Sequence, residues 1–454
     1  MENNEIINKV VKFTESIVSG GDFNKIEISR ILNLSYHSDR NLNIYRGILF
    51  VYYFYKFEKL PQKKFKNLST DKKFLKCVSL LNGNVLPPHE IGSLFLSILT
   101  IPDKETECRD VLLGSFYGSL WFLMNNPENF EIAVDYGVEI IKSAFSIDEF
   151  DFLEKTKLKK NDAKVINLAG SGKKEVKLLN ISSMTAVITA AISKKIGTNI
   201  VVEKTISRTT SSITGSGDIF ESIGVNLDIP INKMAEMSLE TKLGVFDINK
   251  IVPKLNRIYD GRLYDVQVFA GLVGGAAIVN PVDADLINYG LVRGSNKLCL
   301  AILNKLYPDK NILIISGKDP KGKSIIDQIS VVADTEIAQR INGKTFLYTI
   351  TPREFGFDFE PFRYIQTTKS PGENIEQFIK LLAGQGNKNL EQAVAMEAIL
   401  NLYGLGIIDN LKKGANLALE IIRSGAGIKI LEDLISHSNG NINKFNGLLK
   451  VCLN

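Results

Sequence analysis

The chain has 454 residues, 44% hydrophobic and 23% charged, a globular balance that excludes a mainly disordered, collagen-like or coiled-coil protein. Lys+Arg number 55 and Asp+Glu 50, so the formal charge is +5, which suits anionic ligands but is no nucleic-acid signature. Four scattered cysteines with no Cys-x-x-Cys pair, and three isolated histidines, exclude a zinc ribbon, a redox pair, a His-rich metal site and a serine-protease triad.

The N-terminus lacks the basic-then-apolar order of a signal peptide. The longest apolar runs, 47–55 and 268–279, are too short to cross a bilayer, so a cytoplasmic protein with no membrane partner is expected. Ile6, Ile7, Val10, Val11, Phe13 and Ile17 recur at helical spacing until Ser19-Gly20-Gly21-Asp22 breaks the pattern. A second helix runs through Leu49, Phe50, Tyr53 and Phe54, and the basic stretch 61–66 reads as a solvated connector. Helices resume at Asp71 and stop near Gly83. Pro87-Pro88-His89-Glu90 opens the next, with Ile91, Leu94, Phe95 and Ile98 on one face. Residues 109–124 and 130–145 are further helices.

Near Lys164 the pattern changes. Residues 165–168 form a buried-strand run, 184–196 a helix closed by Gly197, and 199–203 a second strand. Alternation continues through 266–279, 311–316 and 345–350, the order of an α/β domain with a largely parallel sheet. Helices return over 390–403, 411–424 and 427–436, with Gly425 as a C-terminal stop. The expected division is a helical extension (1–70), a helical domain (71–150) and an α/β domain with C-terminal helices (151–454). Part of 225–262 is expected to return to the helical domain.

Chemistry concentrates between residues 168 and 228. Gly170-Ser171-Gly172-Lys173-Lys174 follows the first strand. A Gly-x-Gly turn lets backbone N–H groups approach a phosphate, and the lysines add charge, although the P-loop pattern is absent. Asn180-Ile181-Ser182-Ser183 stands at a helix start, where Ser182 or Ser183 caps the helix or the helix N-terminus receives an anion. The loop from Lys204 to Asp218 supplies Lys204 as a point charge and Arg208 as a bidentate donor. Hydroxyls including Ser212 and Ser216 accompany them. Taken singly, these segments read as a tight turn, a cap and a polar loop; together they point to an anion site.

This succession resembles anthranilate phosphoribosyltransferase. The likeness continues through 218–228, extends upstream to Asp71 and Leu80-Leu81-Asn82-Gly83, and runs downstream through Asn280-Pro281, Asp327-Gln328 and Glu354-Phe355-Gly356 to 415–425. The resemblance implies a helical domain beside a larger α/β domain with a mostly parallel sheet. It also implies a ligand cleft between domains, a homodimer, phosphoribosyl pyrophosphate as donor and Mg²⁺ as cofactor. By the same resemblance, Gly170, Ser171, Gly172, Lys173, Lys174, Asn180, Ser182, Ser183, Lys204, Arg208, Ser212 and Ser216 bind substrate, and Ser182, Asp327 and Gln328 face the metal.

The departures are specific. The family's Gly-Thr-Gly-Gly-Asp loop has Lys173 and Lys174 in place of its last two residues. Thr205-Ile206-Ser207 replaces the His-Gly-Asn that faces the acceptor, and the metal-binding Asp-Glu pair becomes Asp327-Gln328. The family's carboxylate-binding arginine has no clear counterpart, although Arg257 and Arg262 lie in that region. The expected function is a phosphoribosyltransferase-like glycosyltransferase, using phosphoribosyl pyrophosphate or a related sugar phosphate, with an acceptor other than anthranilate. The alternative is a degenerate paralogue that binds nucleotide or nucleic-acid phosphates, with the Mg²⁺ site weakened or lost.

Overall fold

Helix starts and stops follow local chemistry in the computed structural model, which describes residues 2–38, 41–61, 65–124, 126–151, 153–156, 163–172, 176–208, 214–259, 276–292 and 294–453. Lys173, Lys174, Ser212, Arg262 and most of the 266–279 run lie outside the described residues. The chain divides into two compact units, one of Met1–Ile147 with Ile258–Val273, the other of Asp148–Arg257 with Gly274–Asn454.

The described elements of the first unit are helical. Asn24 starts the helix Lys25–Ser35 with a reciprocal bond to Glu27, each side chain accepting from the other's backbone N–H. The centre of the unit is the crossing of Asn43–Phe57 and Thr106–Met124. Both helices carry glycine there: a Cβ at Gly47 would lie 2.0 Å from the Val111 carbonyl oxygen, and one at Gly114 1.9 Å from that of Ile44. The Ser115 hydroxyl donates to the Gly47 carbonyl at 3.0 Å across this crossing.

The second unit is built on an eight-stranded sheet: β1 (Lys164–Gly170), β2 (Ile200–Ile206), β3 (Leu243–Asp247), β4 (Leu286–Gly290), β5 (Asn311–Lys318), β6 (Ser324–Ile326), β7 (Thr335–Ile341) and β8 (Lys344–Ile350). The order is β3-β2-β1-β4-β5-β7-β8, with β6 paired to β5. Strands β1 to β5 are parallel, whereas β6, β7 and β8 run antiparallel to their neighbours. β2, β3 and β4 are buried along their whole length, as a sheet covered on both faces requires, while β8 is an exposed edge. The helix Ile181–Ile196 links β1 to β2 and packs against Lys388–Gly404 and Leu411–Arg423.

This is a helical unit and a larger α/β unit with a mostly parallel, mixed sheet. The sequence pattern carries β1, β2, β5 and β8 but not β3, β4 or β7, nor the helices Pro371–Leu382 and Ile442–Leu453. The capping expectation is corrected. The Ile181–Ile196 helix starts two residues earlier than a Ser182 cap allows, with Asn180 at the cap position and no side-chain cap bond. The Asn180 amide is drawn away, donating to the Thr214 carbonyl at 3.3 Å. Gly425, at φ +73°, does follow the helix Leu411–Arg423 as a left-handed stop.

Candidate anion site at the sheet edge

β2 and β3 extend the sheet on one side of β1, and β4 and β5 on the other. The chain therefore reverses its direction of winding between β1 and β4. In open α/β sheets, ligands bind beyond the carboxyl ends of the strands at such a point. Gly170 ends β1, Gly290 ends β4, and the two are paired in register. All the residues described below belong to the second unit.

The glycine loop lies over this crevice. Ser171 N–H donates to the Gly290 carbonyl at 2.8 Å, and Ser171 Oγ accepts from Val292 N–H at 2.9 Å. Gly172 N–H donates to Asp327 Oδ2 at 2.9 Å. Asp327 follows β6 in the chain and is 6% exposed. Gln328 beside it is buried, and its amide oxygen has no hydrogen-bond partner among the described residues.

The exit of β2 forms the second part. Lys204 is 3% exposed, and its Nζ donates to the Thr205 carbonyl at 3.1 Å. Ser207 N–H donates to Ser216 Oγ at 3.3 Å, and Gly217 N–H to the Ser207 carbonyl at 3.0 Å, closing the base of the loop. Arg208 turns to acids: it bonds Glu221 at 2.5 and 3.3 Å, and its Nε stands 3.6 Å from Asp247. The hydrogen bonds it donates to Glu221 raise the guanidinium pKa further.

Ser182 is half-buried on the first turn of the Ile181–Ile196 helix, and Ser183 is buried with no hydrogen-bond partner for its hydroxyl among the described residues. The structure thus joins Gly170, Ser171, Gly172 and Asp327 in one cluster and Ser207 with Ser216 in a second, while the Arg208 side chain is tied to Glu221 and Asp247. Asn180 bonds into the loop before Ser216.

Two buried asparagines hold these pieces and were not marked by the sequence as functional. Asn280 Nδ2 donates to Asn167 Oδ1, the Glu203 carbonyl and Thr205 Oγ1 at 3.2–3.3 Å, tying β1 and β2 together. Its only signal was the Asn280-Pro281 pair. Asn374 Nδ2 donates to Thr214 Oγ1 at 2.6 Å and to Thr367 Oγ1 at 2.8 Å, and no local motif announces it.

No group of three or more His, Cys, Asp and Glu side chains that could hold a metal occurs among the described residues. Asp327 brings a carboxylate and Gln328 a buried amide oxygen with no hydrogen-bond partner among the described residues, both donor types that a hard cation takes.

The family model described as "Glycosyl transferase family, a/b domain" matches residues 162–428. An anthranilate phosphoribosyltransferase of Persephonella marina is 26% identical over 282 residues, covering 62% of this chain and 79% of the relative. One from Aeropyrum pernix is 25% identical over 375 residues, covering 81% and 97%. Among solved structures, the anthranilate phosphoribosyltransferase of Thermus thermophilus aligns with a TM-score of 0.59 at 21% identity, over 80% of this chain and 99% of that one. The Saccharomyces cerevisiae enzyme in complex with PRPP and Mg aligns with a TM-score of 0.61 at 17% identity, over 82% and 99%. These structural likenesses show the fold, and the match over more than half of the sequence settles the kinship: the chain belongs to the glycosyl transferase family defined by that a/b domain.

Proposed function

We propose that this protein is a phosphoribosyltransferase that takes phosphoribosyl pyrophosphate at the crevice between β1 and β4 and passes the phosphoribosyl group to an acceptor other than anthranilate. The observation that carries the reading is the glycine loop over the winding reversal, tied to β4 through Ser171 and to Asp327 through Gly172. It is supported by family membership and by relatives named as anthranilate phosphoribosyltransferases.

In the proposed reaction a nucleophile on the acceptor attacks C1 of the ribose. The bond from C1 to the pyrophosphate oxygen breaks with its electron pair leaving on pyrophosphate. Positive charge grows on the sugar and negative charge on the leaving group, so fixed donors and cations at the pyrophosphate end lower the barrier. Gly170, Ser171, Gly172, Asn180, Ser182, Ser183, Lys204 and Ser216 are the proposed contacts, joined by Lys173, Lys174 and Ser212 from sequence. Mg²⁺, when bound, would be held by Asp327 and Gln328 and would supply further neutralisation of the leaving group. Arg208 is proposed as a support of the loop, since Glu221 and Asp247 already take its charge.

The acceptor is set apart by Thr205, Ile206 and Ser207, where the resembling family has His-Gly-Asn. Calorimetry with phosphoribosyl pyrophosphate, with and without Mg²⁺, tests donor binding; no binding at millimolar ligand refutes it. Salt-sensitive binding of an oligonucleotide in its place would favour a phosphate-binding paralogue. Anthranilate turnover at roughly 1 s⁻¹ or faster would refute the acceptor assignment.

A further inference from the structure

Asp327 reaches the glycine loop from a distant part of the chain, and the backbone is shaped to admit it. A Cβ at residue 170 would lie 2.5 Å from Asp327 Oδ2, and one at residue 290 would lie 2.0 Å from the Asp327 carbonyl oxygen. Both approaches are closer than real Cβ atoms come, so glycine at these two strand ends is a condition for the acid's position. Gly172, whose N–H the carboxylate receives, has φ +69°, a left-handed backbone that a free loop leaves readily. Ser171 ties the loop to β4, and its hydroxyl donates to the Gly172 carbonyl at 3.3 Å, while among the described residues the Gly172 N–H is taken by Asp327.

We propose that Asp327 is a positioning residue of the glycine loop: one carboxylate oxygen holds the Gly172 N–H and thereby fixes the loop in its phosphate-receiving form. The identity of the phosphate ligand rests on the function proposed above; the positioning itself does not. The role needs an acceptor oxygen and not a negative charge, which separates it from metal binding. Asn at 327 retains an acceptor, Ala removes it, and Ala at 170 forces the carboxylate off the loop by contact.

The test uses the full chain in EDTA, where metal binding makes no contribution. Amide hydrogen exchange is followed in peptides covering residues 168–180, and phosphoribosyl pyrophosphate affinity is measured by calorimetry. Losing a hydrogen bond to a charged group should speed loop exchange in Asp327→Ala by roughly ten- to a hundredfold, whereas Asp327→Asn, whose neutral amide oxygen is a weaker acceptor, should fall between the two and nearer the wild type. Asp327→Ala should also bind the ligand about tenfold more weakly than Asp327→Asn does. Gly170→Ala should mimic Asp327→Ala, and the double variant should add little, because both break one interaction. Wild-type exchange in Asp327→Ala, or Asp327→Asn as fast as Asp327→Ala, overturns the proposal. If the wild-type protein binds no phosphoribosyl pyrophosphate while the exchange pattern holds, the proposed function fails and the positioning role stands.

Discussion

Glu203 carries a pH dependence that can be worked out from its surroundings. It lies on β2, fully buried, with Ser238 Oγ donating to Oε1 at 2.6 Å. Its other oxygen has no hydrogen-bond partner among the described residues and lies over Gly244, where a Cβ would come within 2.0 Å. Burial pushes the carboxyl up from 4.5 to about 8, with the Ser238 hydroxyl opposing the shift. The native acid therefore holds its proton at pH 7, while the unfolded chain releases it. Because the folded pKa is raised, the favourable contribution is complete below about 4.5 and is lost as the pH rises through about 8. At about 1.4 kcal/mol per unit of pH, the full loss is on the order of 5 kcal/mol, and roughly half of it falls between pH 5 and 7. Lys155 moves the opposite way. Burial pushes its amine down to about 7, so the stability it withholds returns only as pH rises above that value. The interval from pH 5 to 7 thus isolates Glu203. Glu203→Gln keeps an acceptor for Ser238 and cannot ionise, so its stability should be flat where that of the wild type falls. Urea unfolding followed by circular dichroism reports both units together, and fluorescence of the single tryptophan, Trp121, reports the helical unit, so a pH-dependent change seen by dichroism but not by Trp121 belongs to the α/β unit. Parallel pH profiles for wild type and Glu203→Gln would refute the reasoning.

Gly114→Ala places a methyl group against the Ile44 carbonyl and should cost about 1–3 kcal/mol through a widened helix crossing; an unchanged Trp121 melting midpoint would contradict it. Arg208→Ala breaks a partly exposed pair and should cost about 1 kcal/mol of stability or less. It should also weaken phosphoribosyl pyrophosphate less than Lys204→Ala does; the reverse order in calorimetry would make Arg208 a direct ligand contact. Lys173→Ala combined with Lys174→Ala should abolish phosphate binding, while Gln328→Glu changes it little. Strong Mg²⁺ dependence in the wild type, with full affinity in the double-lysine variant, would show that the metal and not the lysines neutralises the ligand.

The legible parts of the fold are those where periodicity is unbroken. Ile91, Leu94, Phe95 and Ile98 give away the helix Pro88–Leu99, and all four are buried. β4 escapes because Asn288 and Gly290 interrupt its apolar run. Asn288 is satisfied by Asn401, a partner that no local window contains. β7 carries Glu336, Gln339 and Arg340, and the Gln339 amide oxygen takes the Tyr348 hydroxyl at 2.8 Å. A signal for β7 was nevertheless present. Asn342-Gly343, at φ +48° and +77°, is the two-residue turn that joins antiparallel strands, and it stands between β7 and β8. At the candidate site, the glycines, Lys204 and Asp327 stood out as residue types suited to phosphate chemistry. The Asp327–Gly172 bond and the pairing of Arg208 with Glu221 are products of tertiary geometry, which spacing does not encode.

The path between β3 and β4 has a consequence for how the chain is made. β1 pairs with β4, and residues assigned to the helical unit, Ile258–Val273, lie on the connection that precedes β4. A ribosome delivers the first 147 residues long before that returning segment, and it delivers β1, β2 and β3 before the strand that must seat on β1's other side. Neither unit can be completed independently of the other during synthesis, since each waits on sequence that follows a passage through its neighbour. A chain arrested near residue 257 would carry a helical unit lacking its second segment and a sheet with β1 as an unpaired edge.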